Sequence, residues 1–424
     1  MRLKELLDVT LRPKITLIIG SILATLFLLK LGLDDWNFPD AGLFIEQAKA
    51  MNQGISYMKT HADELERPFG LPLVIAFGFK IFDTESVAFA RVALLAFHLG
   101  TLTIIYTIMK KLKINPKIQA IAILGYSLDP FVLSQTLDLQ TEPVTAFFAS
   151  WWCLLAISEL NSKLQRMIVP IIFFTSGFFA IATRPNLVFP FLGIAILLSL
   201  KWKECSTTKN SSILGAFSFV SLITVFHIFL YRIFMSFVIL APNSGPNFAL
   251  ACRKEFVPQY LGVASNSQNM EINRWYIGYL GDLVGNLQKV GKSFDYGETS
   301  KVYTQAGIEN CIRNPLETFW ILLLKVFSLW RPSTVFGAYN LNVFLVSILV
   351  WIPLTYFVIR FMLSPPINED LRNLRFFLFI FWGLFTISLL PSATQIRHRV
   401  AAAEQFYWII MAIYLNSRLG KKNV

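Results

Sequence analysis

The feature that most limits what this chain can fold into is the recurrence of apolar runs long enough to cross a hydrocarbon core of roughly 30 Å. Ten segments read this way, near 15–33, 86–109, 118–134, 141–160, 168–183, 188–200, 212–240, 341–361, 376–391 and 400–417. Inside lipid a backbone must satisfy its own polar groups, and runs of this length do so as helices. The chain is therefore expected to be all-α, a polytopic membrane helical bundle forming a single domain over residues 1–424. Composition agrees: 55% of the 424 residues are hydrophobic and 15% aromatic, well above the share in a water-soluble domain.

An even number of spans puts both termini on one side, and the basic residues choose which. With the termini in the cytoplasm, nineteen Lys and Arg fall in the short inner segments. Only three, Arg184, Arg397 and Arg399, fall in the short outer connections. The net charge of +12 thus reads as topology, not as affinity for nucleic acid, because the basic residues flank spans and do not gather on one face. The first apolar run is long, follows a charged stretch and lacks a small-residue cleavage site, so it is expected to stay in the chain.

Two long outer segments remain, 34–85 and 241–340. The run GLPLVIAFGFKIF (70–82) is too short to span and is expected to lie in the interface or re-enter the membrane. ETFWILLLKVFSLW (317–330) is amphipathic enough to float at the outer surface, with Lys325 and Arg331 reaching toward head groups. The rest of the second segment, from Cys252 onward, reads as irregular loop with short helices. Of the four cysteines, only Cys252 and Cys311 share an outer segment; a disulfide and two unpaired thiols both remain open, since no spacing rule decides. No internal repeat is visible, and neither are the inverted halves of a secondary transporter.

The residues that could carry chemistry collect on the outer side. Asp40 opens a helical pattern in which Phe44, Ala48, Met51 and Ile55 share one side and Glu46, Lys49 and Gln53 the other. It is either the N-cap of a surface helix or a functional acid. Glu142, with Asp138 four residues before it, sits at the mouth of a span, where an ionised group is costly unless paired or wet; capping ahead of Pro143 is the alternative. Arg184, Lys325, Arg331 and the Arg397-His398-Arg399 cluster could hold a phosphate, or simply snorkel to head groups. Arg91, just inside a span, needs a partner. The four histidines show no ligand spacing, so no metal and no cofactor is assigned, with a divalent cation left open.

Taken in order, these fragments resemble the GT-C class of membrane glycosyltransferases, in particular bacterial relatives of protein O-mannosyltransferases and of the lipid A aminoarabinose transferase. The resemblance rests on Pro39-Asp40, Phe44, Ala48, Gly54 and Tyr57. It continues in Arg67-Pro68-Phe69-Gly70-Leu71-Pro72, Phe82 to Arg91, Glu142-Pro143, Ala182 to Pro185, Asn314-Pro315 with Lys325, and Arg397 with Arg399. It implies a plasma-membrane enzyme that moves a sugar from a polyprenyl-phosphate donor to a hydroxyl of a lipid, glycan or protein acceptor on the outer face, with inversion. Asp40 matches the family's catalytic base, and the arginines, chiefly Arg397 and Arg399, would hold the leaving phosphate. Two departures stand out: Ala41 replaces a second acid common in relatives, and Phe44 replaces a frequent tyrosine. The competing expectations are a transporter or flippase of lipid-linked sugars and a glycan polymerase or ligase using a pyrophosphate-linked donor.

Overall fold

The computed structural model describes residues 12–30, 39–62, 65, 67–137, 139–236, 238, 244–250, 252–261, 266–289, 296–331, 341–391 and 397–420. Among these residues every regular element is helical. The first half comprises α1 (Pro13–Lys30), α2 (Pro39–Gln53), α3 (Ile55–Thr60), α4 (Gly70–Phe82), α5 (Val87–Lys111), α6 (Pro116–Ser127), α7 (Pro130–Leu137), α8 (Glu142–Ile157), α9 (Lys163–Thr183), α10 (Val188–Trp202) and α11 (Ser206–Phe234). The second half comprises α12 (Ser244–Ala249), α13 (Val257–Leu261), α14 (Asn266–Lys289), α15 (Tyr296–Arg313), α16 (Pro315–Trp330), α17 (Leu341–Leu363), α18 (Glu369–Leu389) and α19 (Arg397–Gly420).

Several of these helices suit a membrane. Six meet both length and apolarity for crossing one: α5, α9, α10 with the turn before it, α11, most of α17, and α18. The other four expected spans are helical but shorter or more polar. α1 has 18 residues and begins with Pro13 and Lys14, α8 has 16 residues, and α19 carries Arg399, Glu404, Gln405 and Arg418. The fourth, 118–134, is divided between α6 and α7. The cause is local: Asp129 accepts from the Phe131 and Val132 N–H groups at 3.0 and 3.4 Å, and Pro130 takes the first helical position, so a new helix starts there.

The centre of the bundle is α8, packed against α5, α9, α18 and α19. Its Trp152 is fully buried, with the Phe191, Phe173 and Phe381 rings at 5.5, 6.3 and 6.4 Å. In lipid such contacts stabilise by close packing and not by escape from water, which places a premium on interlocking shapes. At one end Lys201 donates to the Ala156 and Ser158 carbonyls at 2.8 and 2.6 Å, capping α8, and Asn115 N–H donates to Asn416 at 2.9 Å. The starts of α5, α8 and α19 and the ends of α9 and α18 lie at the opposite end.

Helices α12 to α16 make the segment 244–330 more regular than the loop expected from its composition. In α14, Ile272, Trp275 and Tyr279 turn one stripe toward Phe256 and Tyr260, and this amphipathic packing overrides the Asn- and Gly-rich sequence. Arg253 lies over both Trp275 and Tyr279, at 5.0 and 4.5 Å. Cys252 and Cys311 are joined in a disulfide with a sequence separation of 59, which settles the open alternative. Closing a loop of that size stabilises by about 4 kcal/mol in the chain-entropy account. Reduction, or Cys311→Ser, is therefore expected to speed protease cleavage within 244–331 while leaving α5, α9 and α11 protected; equal cleavage rates would contradict it.

Candidate functional site

Helix α2 begins at Pro39, so Asp40 falls in its first turn and not at the cap, a position where a carboxylate suits the positive helix end. The side chains of Pro39 and Asp40 lie outside the described residues. Ala41, Phe44, Ile45 and Ala48 are buried, while Glu46 and Gln53 are exposed, as the pattern requires. Ile55 departs from it. Gly54 adopts φ 95°, a conformation that favours glycine, the helix stops, and Ile55 begins α3 at 41% exposure.

Gln47 ties α2 to the RPFGLP stretch in both directions. Its Nε2 donates to the Arg67 carbonyl at 2.9 Å, and Arg67 N–H donates to its Oε1 at 3.1 Å. Three residues on, Gly70 abuts Thr183 so closely that a Cβ would lie 2.4 Å from the Thr183 nitrogen, so only glycine fits. Pro72 is buried behind it and Pro68 is half-buried. Thr183 ends α9 and places Arg184, whose Nη1 meets Glu142 Oε1 at 3.1 Å; both side chains are under a tenth exposed. Thr141 holds the cap position of α8, so Glu142 is an ion-paired residue of the first turn and not a cap. Its second oxygen, Oε2, is buried without a hydrogen-bond partner. Arg91 is buried near the start of α5, and Asp138 lies outside the described residues.

A second group of buried cations converges from α16 and α19. The fully buried Lys325 of α16 donates to the Leu390 carbonyl at the end of α18 at 2.6 Å and lies 5.7 Å from the Tyr260 ring. Arg331 is buried too and donates to the Tyr260 carbonyl at 3.5 Å. Arg399, on the first turn of α19, donates from Nη1 to the Arg331 carbonyl, pairs through Nε with Glu404 at 3.1 Å and stacks on Trp351 at 4.0 Å. The expected snorkelling of Lys325 and Arg331 is thus corrected. The exposed stripe of α16 is Leu316, Phe319, Trp320, Leu323 and Phe327, and Lys325 is on the opposite face with Ile321, Ser328 and Leu329. The side chain of Arg397 lies outside the described residues, and His398 is buried.

Both groups adjoin α18, which packs against the turn following Arg184 and, just past its end, supplies Leu390. Among the described residues no carboxylate lies within ion-pair distance of Lys325, so the junction of α16 and α18 offers an uncompensated cation to an anion. Sequence reasoning missed Glu404, although an acid within AAAEQFYWII is a signal of its own. It also missed Asp129, whose Oδ2 accepts from Trp408 Nε1 at 3.3 Å. Among the described residues no three His, Cys, Asp or Glu side chains converge. In comparison with family models, curated proteins and solved structures, nothing matches the chain.

Burial pulls the Lys325 amine down to about 7 from its ordinary 10.5. Below pH 7 it is charged folded and unfolded, and the cost of burying the charge is fully present. Between pH 7 and the ordinary value the folded protein releases a proton that the unfolded chain keeps, so stability rises with pH through that window. Thermal unfolding is expected at higher temperature at pH 9 than at pH 6, with a smaller gain in Lys325→Met; identical pH dependence of the two would contradict this.

Proposed function

We propose that the chain is an inverting membrane glycosyltransferase that takes a sugar from a polyprenyl-phosphate donor and transfers it to an acceptor hydroxyl. The observation that carries this reading is the convergence of buried Lys325, Arg331 and Arg399, with buried Arg184 at the same end of the bundle, which the RPFGLP stretch and α2 also reach. Cations held out of water bind phosphate more strongly than surface ones, and stabilise charge as it develops on a leaving phosphate. The acceptor oxygen attacks the anomeric carbon, the carbon–oxygen bond to phosphate breaks with its electron pair on the phosphate, and Asp40 takes the acceptor proton. The open Oε2 of Glu142 is free to accept from a sugar hydroxyl. A protonated Lys325 binds the phosphate best, so donor affinity falls as pH rises above 7, opposite to the trend in fold stability.

The α6–α7 break at Asp129 favours one other reading, transport of a lipid-linked sugar, because broken helices accompany binding sites in transporters. Purified protein in sealed vesicles, given a labelled polyprenyl-monophosphate sugar and an envelope extract as acceptor, separates the two. Transfer releases free polyprenyl phosphate and labels the acceptor. Label crossing the bilayer on an intact lipid would overturn the enzyme reading, and consumption of only a pyrophosphate-linked donor would point to a polymerase or ligase.

A further inference from the structure

At the end of the bundle opposite the candidate site, a cavity of about 480 Å³ opens between the start of α1, the end of α5 and the start of α6. Its lining among the described residues is Arg12, Pro13, Lys14, Ile15, Tyr106, Lys110, Pro116 and Gln119: three cations, a phenol, an amide and no acid. Among the described residues none of the three cations has a carboxylate within ion-pair distance. The cavity exists because α1 and α6 are pressed together further along, where Gly20 meets Ser127, while Pro13 and Pro116 start both helices at its rim. The amide of Gln119 is fixed in the wall by donating to the Ile114 carbonyl at 2.6 Å. Leading away from the cavity, α1 presents Ile18, Ile22, Leu26 and Leu29 outward, each more than half exposed, as one apolar stripe.

We propose that this cavity binds the phosphate head group of an anionic phospholipid, with the acyl chains lying along the exposed stripe of α1. Three cations around one concavity, with no carboxylate partner among the described residues, select a net-anionic head group over a zwitterionic one whose phosphate is offset by its own ammonium, and Tyr106 adds a hydroxyl donor. The apolar stripe next to the cations separates a lipid from free phosphate, which would have no use for it. The site does not depend on the activity proposed above, since none of its residues belongs to that machinery.

The test uses the full chain in nanodiscs of phosphatidylcholine alone or with phosphatidylglycerol added, read by thermal unfolding and by native mass spectrometry of retained lipid. Phosphatidylglycerol is expected to raise the unfolding temperature and to stay bound. The variant Arg12→Gln/Lys14→Gln/Lys110→Gln is expected to lose this affinity by about fivefold per cation, the equivalent of about 1 kcal/mol each. Lys163→Gln/Lys203→Gln/Lys209→Gln removes as many charges elsewhere at the same end and is expected to retain it. Should the first variant unfold in phosphatidylcholine discs, Lys14→Gln and Lys110→Gln are read singly by the same criterion. Retention by the cavity variants, equal loss in the control, or full stabilisation by inorganic phosphate in phosphatidylcholine discs would each overturn the proposal.

Discussion

Glu404→Gln is expected to destabilise the protein by about 3–5 kcal/mol, because it strips the partner from a charge that has no access to water. Arg399 and Glu404 are both 0% exposed, and their bond at 3.1 Å holds the guanidinium flat on Trp351. Arg399 Nη2 and Glu404 Oε2 already lack partners, so the pair has no spare hydrogen bonds with which to absorb the loss. The double variant Arg399→Met/Glu404→Leu removes both charges and is expected to recover most of the stability, since paired apolar replacements of buried ion pairs are often neutral. Unfolding in denaturing detergent reads both; a silent Glu404→Gln, or a double variant no better than the single, would contradict the geometry.

Asp40→Asn is expected to lower the transfer rate by about 10²–10⁴-fold, the usual contribution of a positioned general base, with little change in donor affinity. The substitution keeps the shape of the side chain in the first turn of α2. The buried face formed by Ala41, Phe44, Ile45 and Ala48 is untouched, so insertion and unfolding temperature should stay as in the parent. Arg399→Lys is a contrasting case. It keeps the charge but loses the planar fork that serves Glu404, the Arg331 carbonyl and Trp351 at once, so fold and activity should fall together. A rate unchanged in Asp40→Asn would remove the base from the proposed mechanism.

Hydrophobic patterning made the helical segments legible, because each long apolar run must satisfy its backbone internally. The amphipathic runs 70–82 and 317–330 were legible for the same reason, and α4 and α16 occupy them. The division of 118–134 was harder to see, since its apolar run is continuous, yet Asp129-Pro130 is a helix start in its own right. The direction of Lys325 and Arg331 was not legible. One turn of helix decides which way each side chain points, and the choice depends on Leu390, 65 residues from Lys325, and Tyr260, 71 residues from Arg331. Glu404 was passed over because it is five residues from Arg399, one more than a helical neighbour, and reaches it only through a side-chain bend. The pairing of Cys252 with Cys311 waited on the fold of α12 to α15, which brings their Cα atoms to 5.1 Å.

Cations are buried together near the end of α18, and an aspartate stands in the first turn of a helix anchored to the same end through Gln47, Arg67 and Gly70. One assay tests that union most directly. Purified protein and its Asp40→Asn variant are given a polyprenyl-monophosphate sugar of known anomeric configuration, and release of polyprenyl phosphate and the configuration of the product are followed by NMR. The expected result is release by the parent with the inverted anomer, and release slowed at least a hundredfold in the variant. A retained configuration, or equal release by both proteins, would contradict it.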